Sequence, residues 1–114
     1  MPRMDETVAS ICAAMQEAGT IAGYAYDHFR QSDAVEPPFA VYRRIAAPNF
    51  SGDGVVYRHG QRVDLEIYAE TPEEMAQIMT EAEALLDAAG IFYTLAADTV
   101  YIESEDFYES LYEM

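Results

Sequence analysis

The stretch that decides the fold is QRVDLEIYAETPEEMAQIMTEAEALLDAAG, residues 61 to 90. Its apolar period changes once, from two to about 3.6 residues. In the first part, Val63, Leu65 and Ile67 point one way and Arg62, Asp64, Glu66 and Tyr68 the other, the pattern of a strand with one buried face. The second part reads as a helix. Thr71 stands as its N-cap, Pro72 takes the first helical position, and Glu74 completes a capping box. Met75, Ile78, Met79, Ala82, Leu85 and Leu86 form the apolar stripe, and Gly90 closes the helix.

Working outward, DETVASICAAMQEA (residues 5 to 18) predicts another helix, with Val8, Ile11, Cys12, Met15 and Ala18 on one stripe and Asp5 as the cap. Between Ile21 and Phe29 the aromatic residues fit either a strand or an irregular packed segment. Pro37-Pro38 forces an extended entry into FAVYRR (39 to 44), which alternates as a strand. AAPNFSGDGVVYRHG (46 to 60) has loop chemistry, with room for a short strand at Val55 to Tyr57; its length marks it as functional or mobile. After Gly90 the sequence predicts three short strands: IFYTLA, a turn at Ala97-Asp98, VYIESE, and then FYESLYE with Ile102, Phe107 and Leu111 inward.

This order predicts an α+β two-layer sandwich of residues 1–114, one domain. Two helices are expected on one face of a mixed or mostly antiparallel sheet, with a long loop or hairpin around 46–61. Hydrophobic residues make up 51% of the chain, and nine Tyr and five Phe exclude the composition of a disordered acidic protein.

The net charge of −15 comes from 21 acids against six bases, all arginine, and nothing basic follows Arg62. Such a field repels phosphate backbones and anionic membrane, which argues against sequence-specific nucleic-acid binding and membrane attachment. It suits a basic partner, an acidic-lined channel or solubility. Cys12 alone excludes an internal disulfide or a cysteine-based zinc site, and reads as a buried thiol. MPRMDET turns polar at once, and no apolar run approaches a membrane span, so a protein that is intracellular, or is assembled there, is expected.

The catalytic inventory is thin. His28 and His59 have no metal-ligand spacing, the serines lack a nucleophile elbow, and SGDG lacks the lysine and setting of a phosphate loop. The pairs Asp64/Glu66, Glu103/Glu105 and Glu109/Glu113 are not distinguished from a solvated sheet face, and the loop lacks alternating calcium ligands. The expectation is no enzyme, no metal and no cofactor. Arg43, Arg44, Arg58 and Arg62 flank the long loop. They either neutralise local acids or pair with carboxylates of a neighbouring copy, a head-to-tail contact that closes into a ring.

PPFAVYRR, NFSGDGVVYRHGQRVDLEIYAETPEE, ALLDAAGIFYT and YIESEDFYESLYEM, in this order over residues 36 to 114, resemble the small tail-completion or tail-terminator proteins of long-tailed bacteriophages and prophages. That resemblance implies a non-enzymatic virion subunit, assembled in the bacterial cytoplasm. It would form a ring, commonly a hexamer, that ends the tail tube and meets the head connector. The implied partners are further copies of the chain, the tube protein and connector proteins. Asn49, Phe50 and Asp53 would then lie in a loop touching a neighbour or the tube, beside the interface arginines Arg43, Arg44, Arg58 and Arg62. Asp64, Glu66, Glu103 and Glu105 are the candidates to face a channel through which DNA passes. The chain departs from the family pattern in having no base after Arg62, so none around its last helix. A head–tail connector or stopper subunit, and an acidic DNA mimic that sequesters a basic partner, are the competing readings.

Overall fold

The computed structural model describes residues 3–46 and 61–114; the expected loop and short strand at 46 to 60 lie, apart from Ala46, outside the described residues. The chain runs α1 (Met4–Glu17), β1 (Gly23–Tyr26), a 3-10 turn (Gln31–Asp33), β2 (Phe39–Ala46), β3 (Gln61–Ala69), α2 (Pro72–Ala88), β4 (Thr94–Ile102) and β5 (Phe107–Glu113). The architecture is α+β. Its five-stranded sheet has the order β1-β2-β3-β5-β4, with β1 parallel to β2 and every other pair antiparallel.

The stretch from 61 to 90 folds as its periods dictate. Val63, Leu65, Ile67 and Ala69 are buried, and they join one cluster with Val8, Cys12 and Met15 of α1 and Met75, Ile78, Ala82 and Leu86 of α2. Each Val, Leu, Ile or Met side chain among them contributes about 1.5–3 kcal/mol on removal from water. Thr71 accepts a hydrogen bond from the Glu74 amide, while the Glu74 carboxylate reaches back one residue further than expected, to the Glu70 amide. Gly90 takes φ 73°, and the amides of Gly90 and Ile91 bond to the carbonyls of Asp87 and Leu86, so the last turn of α2 is closed by its own chain.

Four expectations need correction. The residue before α1 is Arg3 with no side-chain cap, and Asp5 instead sits in the first turn between Arg3 and Arg44. Ala18 is the exposed C-cap of α1 rather than part of its stripe. Ala97-Asp98 is not a turn: β4 runs through it with register shifts between Leu95 and Val100. The irregularity is held by Thr99 at φ 53°, whose amide donates to the Ser110 hydroxyl. The chain reverses instead at Glu103–Asp106, where the amides of Glu105 and Asp106 both bond to the Ile102 carbonyl.

The fourth correction concerns β5. Tyr112 and Ser110 are fully buried on the core side, and Ile102, Phe107 and Leu111, expected inward, lie on the reverse side. A tyrosine ring can fill a core if its hydroxyl escapes to a partner. Tyr112 does so by donating to Glu83 of α2 at 2.6 Å, and burial with that bond holds its phenol well above the usual range. Cys12 is buried as expected, its thiol pushed up to about 12 by desolvation, which makes it inert.

Candidate interaction surface

Residues on the reverse side of the sheet come from alternate positions brought into line by register. Phe39 stands opposite Tyr68, Val41 opposite Glu66 and Arg43 opposite Asp64, while β5 sets Glu109 beside Tyr68 and Leu111 beside Glu66. At one end of this side is an aromatic patch. The Phe39 and Tyr68 rings stack at 4.8 Å, and Phe107 meets Tyr68 edge-on at 5.4 Å and Phe39 at 6.0 Å. Phe29, reaching over from the segment after β1, meets Phe39 at 5.2 Å. With Val41, only 5% exposed, and Ile102, these rings line a groove of about 350 Å³. Edge-to-face pairs of this kind add about 0.5–1.5 kcal/mol each beyond the area they bury.

The groove has a polar rim. Arg43 binds Glu66 with one guanidinium nitrogen and Asp27 with another, at 3.2 Å, and also donates to the Asp27 carbonyl at 3.0 Å. Those acids hold the Arg43 pKa above its already high value, the Glu66 hydrogen bond first. Asp27, in turn, is held below the usual carboxylate range, first by its bond to His28 at 2.9 Å and then by Arg43. The Tyr68 hydroxyl lies 2.8 Å from Glu66 and 2.6 Å from Glu109. It has one proton and so donates to one carboxylate at a time. Desolvation first, and then these carboxylates, raise its pKa well above that of a free phenol. Glu105, exposed in the β4–β5 turn, completes the rim.

The sequence grouped the arginines into one zone, and the pleat divides them. Arg43 and Arg44 are consecutive on β2, so they leave the sheet on opposite sides. Arg44 approaches Asp5 of α1 at 3.9 Å, and its amide donates to the Tyr26 hydroxyl. Arg62, at the far end of the reverse side, binds Asp64 at 3.1 Å and Glu113 at 3.5 Å. Local neutralisation therefore describes each of these three arginines in the single chain. Asp64 is 7% exposed and Glu66 is engaged by Arg43 and Tyr68, whereas Glu103 and Glu105 are exposed. Asn49, Phe50, Asp53 and Arg58 lie outside the described residues.

Comparison with protein-family models, with curated proteins and with solved structures gives no match for this chain.

Among the described residues, no group of three or more His, Cys, Asp or Glu could hold a metal ion, and no helix is long and apolar enough to cross a membrane. The features that sequence reasoning missed are Asp27, Phe29, Phe92 and the reverse-side rings. The alternation of Phe107 with Tyr108 was visible, but it assigns two faces without saying which is the core. A further apolar surface lies at the β4 edge of the sheet. Leu95 is 38% exposed, Val100 and Tyr101 are 48% exposed, and Phe92, just before the strand, is 95% exposed.

Proposed function

We propose that this protein is a structural, non-catalytic subunit of a phage tail, of the tail-completion or tail-terminator kind. Copies of it assemble into a ring that ends the tail tube and joins it to the head connector. The observation that carries the reading is the exposed apolar edge at β4 and Phe92 on a chain of charge −15. Edge strands with exposed backbone and apolar side chains are templates for association. The order of motifs over residues 36 to 114 supports the choice of a tail subunit among assembling proteins. Glu103, exposed in the β4–β5 turn and outside the aromatic groove, is suited to a lumen that DNA crosses without adhering, because a carboxylate repels phosphate and offers no donors to the bases.

The test is electron microscopy of particles assembled without this protein. Overlong or headless tails are the expected result, and tails of normal length joined to heads would remove the proposal. Labelling of intact particles places the chain at the head-proximal end of the tail on this reading, rather than within the connector itself.

A further inference from the structure

Phe92 is held in place but left bare. Ile91 before it is 9% exposed, and the ring of Tyr93 after it meets Tyr112 at 5.3 Å, yet Phe92 itself is 95% exposed. It lines one hollow with Arg62, Tyr93, Thr94 and Glu113. Its packed neighbours fix the backbone that carries the ring while the ring itself stays in water, so a partner that covers it gains burial without first ordering the chain. The aromatic groove of Phe29, Phe39, Tyr68 and Phe107 lies at the opposite end of the sheet. The six residue steps along β3 from Arg62 to Tyr68 separate the two by about 20 Å. Within one chain the anchor cannot reach the groove.

Resting on the self-association proposed above, we infer that Phe92 of one copy seats in the aromatic groove of the next, with Arg62 facing Glu105 on its rim. The groove's volume of about 350 Å³ admits a phenyl ring, and its walls offer the edge-on contacts its own rings already make. One local charge pair, Arg62 with Glu105, favours a second copy as the occupant against the general repulsion. Two bodies of charge −15 repel over most of their surface, but Arg62 lies beside Phe92, and its side chain is 44% exposed beside Asp64 and Glu113. Anchor and groove occupy opposite ends, so each contact leaves one of each unused. The association is head to tail, and it closes into a ring if the rotation per copy allows.

Molar mass in solution over a concentration series tests this with the full chain. Wild type should grow beyond the monomer, and Phe92→Glu and Glu105→Arg should each weaken association by at least about tenfold. Both positions are exposed, so both variants should keep the circular dichroism of the wild type. Mixed in equal amounts, the two variants should form a dimer and no larger species, because one intact Phe92 then meets one intact groove. If Phe92→Glu associates as wild type does, this surface is wrong and the self-association stands. If wild type stays a monomer throughout, the contact is overturned, and the tail reading is judged separately by the length of tails lacking the protein.

Discussion

Arg43 leaves β2 on the reverse side, with 29% of its side chain exposed, and meets a Glu66 side chain that is only 14% exposed. Removing the cation leaves a mostly buried carboxylate with, among the described residues, the Tyr68 hydroxyl as its remaining partner. Arg43→Ala should therefore destabilise the fold by about 1–3 kcal/mol in urea unfolding at neutral pH. Adding Glu66→Gln should recover part of that loss, since the partner's charge no longer needs compensation; additive losses would mean the pair is not coupled. The tyrosines give a second prediction. Folding raises the pKa values of Tyr68 and Tyr112, so it favours their neutral forms. The stability this contributes is complete below the free phenol pKa of about 10 and is lost as pH rises through the folded values. The wild type should lose stability above about pH 10, and Tyr68→Phe should lose less over the same range. Equal alkaline slopes for the two proteins would contradict the assignment of Tyr68.

At the scale of elements, the two ends of α2 are independent tests of how the sequence sets it. Thr71→Ala removes the acceptor of the Glu74 amide and should cost about 1 kcal/mol. At Gly90 a Cβ would meet nothing within 4 Å, so only the left-handed backbone at φ 73° opposes a side chain. Gly90→Ala should cost about 1–2 kcal/mol by thermal unfolding; a neutral outcome would mean the helix terminus re-forms without the left-handed residue. Both ends were legible in the sequence because caps depend on neighbours three or four residues away. β4 was not legible in the same way. Ala97-Asp98 looks like a turn locally, but β5 supplies the ladder that carries the strand through it, and Ser110 supplies the hydroxyl that holds Thr99.

For the whole molecule, charge works against both folding and assembly. Asp and Glu outnumber Arg by 21 to six, and the chain repels itself wherever an arginine is not close. Salt screens that repulsion, with a Debye length falling from about 30 Å at 0.01 M to about 3 Å at 1 M. The melting temperature should therefore rise with added sodium chloride, although the same salt weakens the exposed pairs of Arg62 and Arg3. A fall across that range would mean that local ion pairs outweigh the global field. The candidate site belongs to this scale as well. Phe29, Phe39, Tyr68 and Phe107 are spread over 79 positions of sequence and become one groove only when β2, β3 and β5 pair in register.

The sequence alone determined whatever depends on a few neighbouring residues: the strand at Val63 to Ile67, the capped helix from Thr71 to Gly90, the apolar stripe of α1, and the acidic field that disfavours a phosphate ligand. Periodicity gives two faces to a strand and two sides to a helix, and capping chemistry gives their ends. The tertiary structure decided which face of β5 is inside, because only the position of Glu83 on α2 lets the Tyr112 hydroxyl be satisfied beneath the helix. It also decided that Arg43 and Arg44 serve opposite sides of the sheet, and that Phe92 stays bare at one end while an aromatic groove forms at the other. Those are consequences of strand pairing between distant segments, and no local pattern encodes the register that produces them.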